Sequence, residues 1–245
     1  MGTEHSDLPP SLRLAWWGTG WLRGAVGPDD LTAAVLADTV AQVVDGGPLL
    51  PALAEARRLG ATAIGTAFPA AGDPVGLRGP AAFTAAAIEA EEAVVLLGAD
   101  LGWAPRTVGR AVEWTSHRAA RRPPPDLGEA DRGLRTALLE AADGLARLDV
   151  AAWNPEVAGE LLDLRTGLEV VGAPGTPQRC VDLAGRALHL RAVLDLALAD
   201  EGGALSLGQL QERRRLLDPL AAAVRRALTA AGSPDGWPPA DPLDR

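Results

Sequence analysis

Residues 93–117 read AVVLLGADLGWAPRTVGRAVEWTSH, and this stretch decides the fold class. Ala93 to Gly98 is a short, uninterrupted apolar run, the signature of a buried strand. Thr107 to His117 mixes Val, Trp and Thr with polar residues in near alternation, the two-residue period of a strand with one buried face. Ala99 to Arg106 is too short for a crossover helix, so the two strands are expected to pair antiparallel. In 107–117 the alternation sets Glu113, Thr115 and His117 on one face and Val112, Trp114 and Ser116 on the other.

Upstream, Ala61 to Phe68 reads as another strand. Between it and Ala93 lies PAAGDPVGLRGP, Pro69 to Pro80, whose three prolines and three glycines in twelve residues exclude any regular element. A helix over about 81–91 follows, with Pro80 tolerated at its start because no amide donor is needed there. Residues 11–24 place Leu14, Trp17, Trp21 and Ala25 at helical spacing, so the tryptophans are read as core. Gly27-Pro28-Asp29-Asp30 is a helix start, and the pattern predicts a helix to about Asp45, then a shorter one over 49–59.

Downstream, RRPPPDLGEA from Arg121 marks a linker or long loop. Helices are predicted over about 127–148, 154–164, 177–200 and 206–231. Cys180, Leu183, Ala187, Leu190, Leu194 and Ala197 form one apolar stripe, and Leu210, Leu217, Leu220, Val224 and Ala227 form another. Thr176-Pro177 starts the first of these two helices, Gly202-Gly203 follows it and Ser206 caps the second, so 177–231 reads as an antiparallel helical hairpin. The expected fold is α+β: a small antiparallel sheet with N-terminal helices, followed by a mainly helical C-terminal half. The expected organisation is a flexible arm over 1–10, an α+β part over 11–120, a helical part over 121–231 packed on the first as one unit, and a tail over 232–245. No internal repeat is visible.

The strand at Ala61, the FPAAGDPVGLRGPAAF loop, the AAIEAEEAVV that follows and the AWWGTGWLRG opening resemble a recurrent actinobacterial family of uncharacterised proteins. The resemblance covers most of the chain and implies a shared fold without any particular activity. Where that family carries Asn shortly after the Gly-Pro of the loop, this chain has Phe83-Thr84.

Composition removes several mechanisms. All 23 basic residues are Arg, and there is no Lys and no Tyr among the 245 residues. Schiff-base chemistry, a P-loop lysine and a tyrosine acid are therefore unavailable. Asn occurs once and Ile twice, the coding bias of a GC-rich genome. The net charge is −9, with residues 1–100 carrying 12 acids against 5 Arg, so no nucleic-acid partner is expected. Cys180 has no disulfide partner, no charged-then-apolar leader follows Met1, and no uncharged apolar run approaches the ~20 residues of a bilayer crossing. A cytoplasmic protein without membrane contact is the expectation. One Cys and three His leave too few soft ligands for a structural zinc, and neither GxGxxG nor a Walker sequence occurs, so no metal and no cofactor are expected.

The candidate binding residues are Asp73, Arg78, Glu113, Thr115 and His117, none of them assigned a catalytic role. Glu113 and His117 share a face, yet four residues of strand span about 13 Å, too far for a direct dyad. Ser116 and His117 point to opposite faces, which removes them as nucleophile and base. Glu89, Glu91 and Glu92 read as a solvated turn, and Cys180 as a small buried hydrophobe. The loop 69–80 delivers Arg78 to a helix start that favours an anion, with Asp73 either orienting Arg78 or capping a turn. The leading functional reading is a non-catalytic protein that binds another macromolecule, either a protein partner or a second copy. The alternative is an enzyme or sensor that takes a small anionic molecule at the loop 69–80 and the start of the following helix. Convergent buried polar groups in one pocket favour the alternative; a continuous exposed apolar patch favours the first.

Overall fold

The computed structural model describes residues 8–37, 39–147, 170–199 and 207–237. The expected helix over 154–164, the Gly202-Gly203 and Ser206 signals, and most of the arm and tail lie outside them. The described fold is α+β, with seven helices and a six-stranded mixed sheet. The helices are α1 (Pro10–Leu22), α2 (Pro28–Leu36), α3 (Leu49–Arg58), α4 (Ala81–Ala90), α5 (Leu127–Arg147), α6 (Gln178–Ala199) and α7 (Leu207–Ala231). The strands are β1 (Ala41–Val44), β2 (Gly47–Pro48), β3 (Ala63–Ala67), β4 (Ala93–Leu97), β5 (Leu101–Val108) and β6 (Ala111–Arg118), in the spatial order β2-β1-β6-β5-β4-β3.

The sheet is larger than expected and not wholly antiparallel, because β1 pairs with β6 in parallel. Three readings change with it. The helix expected to run to Asp45 stops at Leu36, and Ala41–Val44 is a strand. Val40, Val43 and Val44 are β-branched and favour it, and Asp45-Gly46, both at positive φ, make the two-residue turn of a hairpin in which Val44 faces Gly47. The supposed connection 99–106 is mostly β5, and the supposed strand 107–117 breaks at Gly109-Arg110 into the end of β5 and nearly all of β6. Pro105 lies beyond Leu101–Trp103, the part of β5 that pairs with β4, where a strand has a free side and tolerates a missing donor. The expected direct pairing of 93–98 with 107–117 does not form: β5 lies between β4 and β6 and pairs antiparallel with both.

Burial follows the alternation. Val112 and Trp114 of β6 enter an apolar layer with Val94 and Leu96 of β4, Ile64 of β3 and Leu14 of α1. The opposite face carries a smaller layer built on Phe83 and Ala87 of α4 with Ala93 and Val95. The third layer joins Leu12 and Trp16 of α1 and Phe68 to α5, α6 and α7, so α1 is buried both against the sheet and against the helical part. In the two C-terminal stripes Cys180, Leu183, Ala187, Leu194, Leu217, Leu220, Val224 and Ala227 are buried, and Leu190 is half-buried. Of the tryptophans in α1, Trp16 is the fully buried one, while Trp17 and Trp21 are half-buried.

β3 is an edge strand whose outward donors are all used. Ile64 N–H donates to Thr19 Oγ1 of α1 at 2.9 Å, Thr66 N–H to the Gly232 carbonyl at 3.0 Å, and Phe68 N–H to Thr229 Oγ1 of α7 at 3.2 Å. The edge that a bare sheet would offer to another chain is thereby closed by α1 and by the end of α7. That junction leads directly to the loop 69–80.

Candidate functional site

The loop 69–80 lies across α7. Its first bend is tight: Ala70 and Asp73 exchange two backbone hydrogen bonds, of 3.0 and 2.9 Å. That bend aims the Asp73 carboxylate at two consecutive arginines, with Arg226 donating to Oδ1 at 2.9 Å and Arg225 to Oδ2 at 3.1 Å. Asp73 therefore does not orient Arg78. Arg78 is exposed and has no ion pair among the described residues.

On either side of the Asp73 anchor the surface is concave. Residues 69–71 wall a cavity of about 330 Å³ with Arg191, Leu194 and Arg225. Val75, Gly76 and Leu77 wall a larger cleft of about 680 Å³, closed by the proline linker at Pro123 and Pro125, by α5 at Ala130 and Ala137, and by α7 at Ala223 and Arg226. Pro219, inside α7, also lines this cleft, at a point where a helix proline leaves one carbonyl without its usual donor.

The wall of the larger cleft contains Arg122, whose side chain is 3% exposed. Its Nη2 donates to Ser233 Oγ at 2.8 Å and lies 3.4 Å from Asp235 Oδ1, while Nε has no partner among the described residues. Burial disfavours the charged guanidinium, and Asp235 only partly offsets this. Room for Arg122 is made by Gly65 of β3, where any Cβ would meet Nη2. Arg122 also lines a third cavity, of about 490 Å³, on whose wall Asp235 sits. Arg122 thus lines two cavities.

The three sheet candidates lie elsewhere. Glu113, Thr115 and His117 share a face of β6, as the alternation implies, and Glu113 pairs with Arg106 across the hairpin at 2.6 Å. Thr115 is exposed. The His117 ring stacks on Phe83 of α4 with centroids 5.6 Å apart, and its buried Nε2 has no hydrogen-bond partner among the described residues. Phe83, not a carboxylate, is its neighbour, so the fold does not unite the five candidates into one site. Sequence reasoning missed Arg122, Arg225 and Arg226, whose only local mark is membership in arginine pairs.

Two other polar groups are resolved. Glu92 is not part of a solvated turn: its Oε2 accepts hydrogen bonds from Ser11 N–H, at 2.9 Å, and Ser11 Oγ, at 2.5 Å, in the first turn of α1. Desolvation holds its carboxyl above the usual 4.5, outweighing those bonds and the attraction of Arg191 and Arg13. A folded state that binds this proton more tightly than the unfolded chain loses stability as pH rises from about 4.5 through the raised value. Glu92→Gln should remove that component, so the difference in melting temperature between wild type and variant should shift in the variant's favour from pH 4.5 to 7; a difference independent of pH would contradict this. Cys180 is buried, which pushes its thiol up to about 12, beyond the range of a reactive thiolate.

Among the described residues, no group of three or more His, Cys, Asp or Glu is placed to hold a metal ion, and no helix is long and apolar enough to cross a membrane. Comparison with known families matches the N-terminal domain of Rv1486c-like proteins over residues 11–127 and their C-terminal domain over residues 128–229. The chain belongs to this family, whose members are uncharacterised. No curated protein and no solved structure matches it significantly.

Proposed function

We propose that this member of the Rv1486c-like family binds a small molecule with an anionic end and an apolar body, in the cleft between residues 75–77, the proline linker, α5 and α7. The observation that carries the proposal is Arg122, a buried cation in the cleft wall with one neutral hydrogen bond, one long carboxylate contact and an unpartnered Nε. Incompletely compensated buried charge is costly, and an anion in the cleft would relieve it. At about 680 Å³ the cleft falls within the roughly 300–1,000 Å³ of small-molecule sites. Val75, Leu77, Ala130, Ala137 and Ala223 supply an apolar lining beside Arg122 and Arg226, and Asp126, Glu129 and Glu140 line the same cleft. In this reading the loop 69–80 takes part through Val75, Gly76 and Leu77 rather than Arg78.

This choice favours the small anion over a macromolecular partner. Among the described residues, the large apolar side chains that stand exposed, Val40, Leu59, Val108, Leu138, Leu139, Val171 and Leu198, come from separate segments apart from the Leu138-Leu139 pair. Binding without a reaction fits the surroundings of His117, and a cytoplasmic setting fits a lone buried cysteine.

Octanoate and octyl phosphate are suitable probes, with octanol as the neutral control. Calorimetric titration should show both anions binding and octanol binding much more weakly. Arg122→Gln, keeping size and a donor but losing charge, should weaken octanoate by about tenfold or more, as loss of a charge-assisted contact implies. Octanol binding as well as octanoate, or unchanged octanoate affinity in a folded Arg122→Gln protein, would reject the proposal.

A further inference from the structure

We propose that Asp235 is a built-in competitor for the anion at Arg122, so that a ligand's anionic end displaces it and loosens the chain segment 234–237. This rests on the cleft reading above and adds a regulation to it. Arg122 lines both cavities, whereas Asp235 lines the smaller one and not the main cleft. The pairing is unequal. Arg122 is 3% exposed and cannot leave, whereas Asp235 is 21% exposed and can recover water with a small movement. Their 3.4 Å separation is longer than the ~2.7–2.9 Å of a well-formed charge-assisted bond. An anion that meets Arg122 from the larger cleft in better geometry therefore outcompetes this long internal contact.

Besides Arg122, the segment that carries Asp235 is held by the packing of Gly236 on the Pro125 backbone and of Trp237 on the helical core, and by a few hydrogen bonds. Ser233 Oγ donates to the Thr229 carbonyl at 2.5 Å, Gly236 N–H donates to the Ser233 carbonyl at 3.0 Å, and Trp237 Nε1 donates to the Ala231 carbonyl at 3.0 Å. The Trp237 ring also lies 5.8 Å from the Arg23 guanidinium. Ser233, through which Arg122 makes its shortest bond, is fully buried and anchored on α7, so the point of release lies beyond it. When Asp235 leaves, the turn closed by Gly236 and the seat of Trp237 lose the ionic contact that braces them. Occupancy of the cleft is thereby reported at the chain's C-terminal segment.

The test uses the full chain with octanoate as probe, comparing wild type with Asp235→Asn by calorimetry and following amide hydrogen exchange in wild type. Asp235→Asn should bind octanoate about tenfold more tightly, since the competing charge is gone, and octanoate should speed exchange at the Gly236 amide in wild type. Equal affinity in Asp235→Asn and wild type, with Arg122→Gln still impaired, overturns the competitor while leaving the cleft intact. Affinity unaffected by Arg122→Gln overturns the cleft reading and the competitor with it. Should wild type bind no octanoate, binding by Asp235→Asn supports the proposal and its absence there rejects it. If Asp235→Asn does not fold, exchange at Gly236 in wild type decides alone: slower or unchanged exchange with octanoate bound counts against release.

Discussion

Trp114→Ala should lower the unfolding free energy by about 3–5 kcal/mol, the range for truncating a large buried aromatic side chain. Trp114 is 0% exposed on the inner face of β6. It sits where the parallel pairing with β1 and the apolar layer of α1 meet. Its indole is also the end of a polar chain: Nε1 donates to Gln42 Oε1 at 2.9 Å, and Gln42 Nε2 donates to the Val35 carbonyl at 2.7 Å, near the end of α2. Removing the indole leaves the buried Gln42 oxygen without that donor, which adds a desolvation penalty of about 1–3 kcal/mol at the upper end of the loss. Thr115→Ala, one residue on and exposed, should stay within about 0.5 kcal/mol. Urea melts showing less than about 1 kcal/mol lost for Trp114→Ala would mean that the sheet does not depend on the β1–β6 contact.

The same polar chain explains why β1 was not legible. The Pro28-Asp29-Asp30 start is a strong local signal for a helix, and the β-branched Val40, Val43 and Val44 mark only weakly where it ends. Strand formation at Ala41–Val44 is rewarded by pairing with Ala111–Trp114, and a partner that distant in sequence leaves no local periodicity. The Asp45-Gly46 turn was the available clue. β3 and β4 were legible because burial on both faces produces unbroken apolar runs, and α6 and α7 because their stripes recur at helical spacing. The candidate site was legible in part. The density of proline and glycine in 69–80 marks a rigid non-repetitive segment that can line a cleft. The partners of Asp73 and Arg122 come from α7 and the residues after it, Ser233 standing 111 residues from Arg122. In the sequence Arg122 belongs to a polar, proline-rich run, where burial is the least expected outcome. Only the tertiary fold, with Gly65 leaving space for the guanidinium, makes it the buried cation of the cleft.

Gly76→Ala should cost more than any other single methyl added to the loop, because two penalties coincide there. The backbone at Gly76 has φ +81°, a left-handed conformation that costs an L-residue about 1–2 kcal/mol. An added Cβ would also stand 2.8 Å from Ala67 Cβ, 2.9 Å from Ala67 Cα and 2.9 Å from Thr229 Cγ2, so the loop must move off both β3 and α7. Overpacking of this kind costs about 1–3 kcal/mol. Gly72→Ala is the internal control: Gly72 has φ +78°, yet nothing lies within 4 Å of its Cβ position, so it carries the backbone cost alone. The difference between the two variants in denaturant melts therefore measures how tightly the loop is clamped between Ala67 and Thr229. Thr229 Oγ1 accepts the Phe68 N–H at the root of the same loop, so displacement at Gly76 pulls on the hydrogen bond that closes the sheet edge. Gly76 also lines the main cleft, and octanoate affinity should fall in Gly76→Ala and remain near wild type in Gly72→Ala. Equal stability losses in the two variants would mean that the loop yields without resistance, and a cleft wall that soft could not hold Val75 and Leu77 against a ligand.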